Sequence, residues 1–173
     1  MGEDLRGVTT VVLKLLEIVQ PHFAYFGRKD AQQAKLISVM ARDLNLDTEI
    51  VLGPIVREDD GLAMSSRNTY LAPEERAAAA VLHRALNAAR EELIAGERNV
   101  VRLQSKIRQL LDAEPRVNID YVEVVDADSF EPVARVARAS YILLAVYLGK
   151  TRLIDNMLVE PGEHGSGEFA FYL

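Results

Sequence analysis

Two short stretches carry residue types that could do chemistry. The longer is Arg57-Glu58-Asp59-Asp60-Gly61-Leu62-Ala63-Met64-Ser65-Ser66-Arg67-Asn68. Its end offers two hydroxyls, closely spaced backbone N–H groups, a planar guanidinium and an amide. Those donors suit the charged oxygens of a phosphate chain, because ionised acceptors form the stronger hydrogen bonds. Ser, Asp, Asn and Gly also build ordinary turns, so a plain surface loop is the default reading of these residues alone. The shorter stretch is Gly27-Arg28-Lys29-Asp30-Ala31-Gln32-Gln33. Gly27 lets a backbone approach a ligand closely, and Lys29 is a mobile cation at a helix start, where free N–H groups favour anions. Asp30 and Gln33 equally fit the spacing of a capping box, and Lys29 a solvated surface charge. Neither stretch is a Walker loop or a G-x-G-x-x-G fingerprint.

The elements around them must place both groups. Val8, Val11, Val12, Leu15, Leu16 and Val19 repeat at helical spacing up to Pro21. Phe23–Phe26 reads as a strand buried on both faces and ends at Gly27. A helix with Leu36, Ile37, Met40, Ala41 and Leu44 on one face follows, then a strand over Glu49–Leu52 closed by Gly53-Pro54. That is a βαβ unit, and in parallel sheets ligands bind at the carboxyl ends of the strands. There the order of the motifs would bring a lysine, two hydroxyls and an arginine to one sheet edge. No strand precedes the first helix, so the chain is expected to begin in the middle of a sheet. Beyond Pro54, a helix from Pro73 to Gly96 and one capped by Asn99 precede strand-like segments at Ile119–Val125, Tyr141–Leu148 and Thr151–Asp155. The expected fold class is α/β: part of a parallel sheet over 1–58, a small α+β domain over 59–160, and over 161–173 a loose tail that its aromatics could dock.

Composition bounds the function. The 173 residues carry a net charge of −6 and no basic stripe, which argues against nucleic-acid binding. There is no cysteine, so thiolate catalysis and Cys-ligated zinc are excluded. His22, His83 and His164 are too scattered for a metal site and are read as structural or solvated. No apolar run reaches a membrane span and no leader is evident, so the chain is expected to be cytoplasmic.

Arg6-Gly7-Val8 with Thr10-Val11-Val12, then Phe26–Gln33, then Val56–Leu71, then Thr151–Asn156, together resemble the pantothenate synthetase (pantoate–β-alanine ligase) family. The resemblance implies a member of the nucleotidylyltransferase-like Rossmann superfamily that condenses pantoate with β-alanine. It would use ATP and Mg²⁺, passing through a pantoyl-adenylate with release of AMP and pyrophosphate, and would work as a homodimer. Carried over by position, Gly27 and Asp30 would meet the ATP ribose, Lys29 its phosphates and Gln33 the pantoate. The backbone at Val56, with Met64, would hold the adenine, and Ser65, Ser66 and Arg67 would form a phosphate clamp. Lys29, Ser65, Ser66 and Arg67 are thus the expected catalytic set. Arg28, Ala31 and Ala34 depart from the family's usual acidic, aromatic and leucine residues without removing a proposed contact. The family's His-x-Gly-His segment has no counterpart here, and its magnesium ligands and most pantoate ligands would precede Met1. The expectation is a C-terminal portion with little or no activity of its own. The competing expectation is a non-catalytic dimerisation or binding module derived from that enzyme. A nucleic-acid module has only the synthetase-like relationship in its favour.

Overall fold

The computed structural model describes residues 2–161 and 169–173, which divide into two compact units between Ile55 and Val56. His164 and the tail glycines Gly162, Gly165 and Gly167 lie outside the described residues.

In the first unit, helix α1 (Gly2–Val19) leads into strand β1 (Phe23–Gly27). A 3-10 turn (Arg28–Asp30), helix α2 (Ala31–Asp43) and strand β2 (Glu49–Gly53) follow. The strands pair in parallel, from Phe23 opposite Glu49 to Gly27 opposite Gly53. Thr48 Oγ1 donates to the Pro21 carbonyl at 2.8 Å, fixing the entry to both strands. This is the expected βαβ unit, with two differences in burial. Phe23 and Tyr25 are 52% and 74% exposed, so β1 is not covered on both faces. Its neighbours among the described residues are β2 on one edge and α2 on one side. The buried stripe of α2 is Ala31, Ala34, Ile37 and Ala41, while Leu36 and Leu44 face out. At about 100° per residue, positions 34, 37 and 41 share a line that Leu36 misses, while Leu44 lies beyond the helix at its C-cap. Small side chains on that line let α2 approach the strands closely.

The second unit contains helices α3 (Pro73–Ala79), α4 (Val81–Ile94) and α5 (Val100–Asp112). They are followed by strands β3 (Val117–Asp126), β4 (Ser140–Leu148), β5 (Thr151–Pro161) and β6 (Phe169–Tyr172). The strands form one antiparallel sheet in the order β3-β4-β5-β6. Gly149 (φ 55°) and Lys150 make the two-residue turn between Leu148 and Thr151, where a positive φ matches the twist of a tight hairpin. α4 and α5 pack on each other and α5 packs on β3. Leu82, Leu86, Leu103 and Ile107 meet Ile142 and Leu144 in a core with no solvent exposure. Asn99 caps α5 as expected, its Oδ1 accepting from the Arg102 N–H. The expected single helix from Pro73 to Gly96 is two helices. Ala80, at φ −60° and ψ −13°, falls short of the helical ψ and interrupts the ladder. Of the expected tail, residues 169–172 pair antiparallel with β5, and Phe169, Phe171 and Leu173 pack against the core.

One ion pair fastens the loop after residue 56 to this sheet. Arg57 donates from both terminal nitrogens to Asp155 of β5, at 2.8 and 3.0 Å, and from one of them to the Gly61 carbonyl at 2.8 Å. The Asp155 side chain is 1% exposed and that of Arg57 13%. Removing one member of a buried pair leaves the other charge desolvated. Asp155→Ala is therefore expected to destabilise this unit by about 3–5 kcal/mol, read as a lower urea midpoint at constant m-value.

Candidate functional site

Residues 56–70 fold back on themselves. The Met64 N–H donates to the Val56 carbonyl at 2.9 Å and the Glu58 N–H to Leu62 at 2.9 Å, with an antiparallel bridge between Arg57 and Ala63. The reversal is made by Asp59–Gly61. Gly61 has φ +87°, and a Cβ there would lie 2.1 Å from Cδ2 of His83. Glycine is thus required twice, for the backbone conformation and for the space. Buried Leu62 and Ala63 anchor the return leg. Met64 then emerges 55% exposed, and a 3-10 turn over Ser66–Tyr70 begins.

The acidic run is a brace. Arg76 of α3 donates to Asp60 at 2.6 and 3.0 Å and to Glu58 at 2.6 Å. Glu58 also accepts from Asn68 Nδ2 at 2.7 Å, and the same amide reaches the Ala63 carbonyl at 3.2 Å. The Arg76 guanidinium holds the carboxyls of Glu58 and Asp60 below the usual carboxylate range, and they hold the guanidinium above its own. Composition alone did not reveal this brace. The repeated i, i+2 carboxylates opposite a basic residue on the next helix were the available signal.

The brace supports a shallow open groove of ≈ 620 Å³ lined by Met64, Ser65, Ser66, Asn68 and Thr69, with Glu58 and Arg76. Ser65 Oγ accepts the Arg67 N–H at 3.2 Å, so this hydroxyl is also the cap of the 3-10 turn. Thr69 Oγ1 donates to the Ser66 carbonyl at 2.7 Å. Arg67 is exposed and enters no ion pair among the described residues. Val56 is 63% exposed beside Met64.

The other predicted residues belong to the first unit. Gly27 ends β1, Lys29 and Asp30 occupy the 3-10 turn and Gln33 the first turn of α2, all at the carboxyl edge of the parallel pair. The capping-box reading of Asp30 and Gln33 fails: Asp30 stands at the N-cap with φ −92° and ψ 62° and makes no side-chain capping bond. A Cβ at Gly27 would meet nothing within 4 Å. The chain's own atoms therefore do not demand glycine there. His22 is exposed, and His83 bonds Asn87 at 2.9 Å and is held below its ordinary pKa first by burial and then by Arg57. Among the described residues there is no group of three or more His, Asp or Glu that could hold a metal ion. No helix among them is long and apolar enough to cross a membrane.

Two outcomes follow. Gly61→Ala should strain the loop and lower stability by more than about 1 kcal/mol, measured by denaturant titration. The depressed pKa values of Glu58 and Asp60 mean that their ion pairs stabilise the loop fully above the ordinary carboxylate range. That contribution is lost as pH falls through the lowered values. Amide NMR of Ser65–Asn68 should show the loop loosening in acid, and Arg76→Gln should show the same loosening already at neutral pH.

Comparison with known proteins bears on the whole arrangement. The family model for pantoate-beta-alanine ligase matches residues 2–158, which include both motif groups. A pantothenate synthetase of Caldicellulosiruptor saccharolyticus is 57% identical over 154 residues, which is 89% of this chain and 55% of that protein. One of Heliobacterium modesticaldum is 58% identical over 155 residues, 90% of this chain and 55% of that protein. The crystal structure of pantothenate synthetase from Thermus thermophilus matches with a TM-score of 0.83 at 43% identity, covering 87% of this chain and 54% of that one. A Francisella tularensis pantoate-beta-alanine ligase, complexed with beta-gamma ATP and beta-alanine, matches with a TM-score of 0.61 at 32% identity, covering 88% of this chain and 49% of that one. The chain thus spans about half the length of the curated relatives it matches. With an α/β fold that joins a parallel strand pair to an antiparallel sheet, and a family match running nearly its whole length, this chain belongs to the pantoate-beta-alanine ligase family.

Proposed function

We propose that this chain supplies the phosphate-binding part of an ATP-dependent ligase that joins pantoate to β-alanine. The observation that carries the reading is the family match over residues 2–158, which includes Gly27–Gln33 and Val56–Arg67 in order. In the reaction the pantoate carboxylate attacks the α-phosphorus of ATP and pyrophosphate leaves. The amine of β-alanine then attacks the acyl carbon of the adenylate and AMP leaves. Lys29, Ser65, Ser66 and Arg67 would neutralise charge building on the departing pyrophosphate, where preorganised donors act most strongly. Gly27 and Asp30 would meet the ribose, Gln33 the pantoate, and Val56 with Met64 the adenine. Residues 1–58 act as the nucleotide-binding part and 59–160 as the clamp-bearing domain. The protein would work in the cytoplasm as a homodimer, with Mg²⁺ accompanying ATP.

Three features support these roles. Asp30 is not used as a helix cap, and the space beside Gly27 is open. Ser65 and Ser66 line one groove, held from behind by the Arg76 brace. Arg67 is exposed.

Adenylation needs both substrates held in line, and misplacement by an ångström already costs about 10²-fold. Calorimetry should detect saturable ATP binding that weakens about tenfold or more in Lys29→Ala and in Arg67→Ala, the loss expected for one charge-assisted contact. A coupled AMP-release assay with pantoate and β-alanine should give turnover roughly 10²-fold or more below a full-length relative. Wild-type-like ATP affinity in both variants would remove the clamp assignment. It would leave the non-catalytic module as the better reading.

A further inference from the structure

The two units differ in how well they cover their apolar side chains. In the first, the buried apolar residues among those described are Leu16, Ala31, Ala34, Ile37 and Ala41, so little more than alanine is enclosed. The second encloses one continuous core that runs from Leu62 to Val159. Two strands alone are marginal in water, and parallel sheets occur almost only with both faces covered.

What the first unit leaves bare is apolar and confined to one side. Val11, Leu15 and Ile18 follow at i, i+4 and i+7 on α1, so they form a single stripe, and Val19 adjoins it. All four are between 54% and 76% exposed. α1 packs on α2, and its buried residue among those described is Leu16, outside that stripe. Phe23 and Tyr25, two positions apart, share one face of β1, and that face is exposed as well. β1 pairs with β2 along one edge, and its other edge meets no strand among the described residues. β2 carries no large exposed apolar side chain, so the gap lies on the β1 side. An apolar stripe of this size beside an open strand edge marks an interface.

The relatives indicate what fills it. The match takes in 89% and 90% of this chain but 55% of each curated relative, so nearly half of their length has no counterpart here. Because the core of the second unit is already closed, the seat for that length is on the first.

We propose that the α1 stripe, the Phe23 and Tyr25 face and the free edge of β1 form one docking surface. Its occupant is the segment of the family's fold that this chain does not span, which adds a strand to β1 and lays apolar side chains over α1. Main-chain bonds along the strand give such pairing its affinity, and side-chain contacts give its selectivity. The inference rests on reading the chain as one part of a ligase, but docking itself needs neither nucleotide nor turnover.

The test takes the segment of the Caldicellulosiruptor relative that lies outside the match. It is co-expressed with the full chain as a separate tagged polypeptide, and in a second arm it is joined to Met1 through a flexible linker. The two polypeptides should co-purify in equal numbers by light scattering. In both arms the β1 amides that do not bond β2 should exchange about tenfold or more slowly than in the chain alone. Leu15→Lys/Ile18→Lys, and separately Tyr25→Lys, should weaken the pairing about thirtyfold or more, the loss expected for an interface anchor. Because these side chains are exposed, the thermal midpoint of the chain alone should not move. Fast exchange of the β1 amides in the joined form would overturn the surface, and so would pairing that the lysine substitutions leave intact. A chain that doubles its mass by itself and reverts on Leu15→Lys/Ile18→Lys would place a second copy there and overturn the proposal as well. Pairing without ATP binding would uphold this surface while removing the phosphate clamp.

Discussion

The buried pair of Arg57 and Asp155 is the constraint on which the candidate site rests. These residues stand 98 positions apart in sequence, one at the mouth of a loop and one in the middle of β5. A carboxylate this deep needs a planar, two-point donor, and only a guanidinium provides one that also reaches the Gly61 carbonyl. The pair therefore sets both the distance and the angle at which the loop leaves the sheet. Gly61 seated against His83 closes the same corner from the other side. With that corner set, the chain has little choice but to reverse and present Met64 and Ser65 outward.

A second layer of charge keeps the exposed part in place. Glu58, Asp60, Asn68 and Arg76 form a connected network in which each carboxylate meets at least one bond from Arg76, and Asn68 joins it to the 3-10 turn. Isolated exposed ion pairs contribute little, but a bidentate, shared arginine is the geometry in which they contribute most. The network ties a loop rich in Asp, Ser and Gly, composed like a mobile turn, to α3 and to itself.

The first unit follows a different logic. Its strand pair is only partly covered, and its polar residues gather at the carboxyl edge. That edge is where the parallel arrangement leaves free backbone groups. The failure of Asp30 to cap α2 makes sense in this setting, because a 3-10 turn, not an open N-cap, delivers the chain into the helix.

Much was legible without coordinates. The βαβ order, the helices and hairpin that follow and the Asn99 cap follow from local spacing, because period, turn chemistry and capping act over a few residues. The strand register, the buried stripe of α2 and the break at Ala80 were not, because they depend on which surfaces meet. The partners of the motif were least visible. Nothing local distinguishes Arg57, Arg76 or Asp155 from solvated charges, and the seat of the tail aromatics on Arg90 and Arg98 is assembled from distant segments. Short-range chemistry thus determined which residues could act. Long-range burial, where a charge must find its counter-charge or remain in water, decided how they are held.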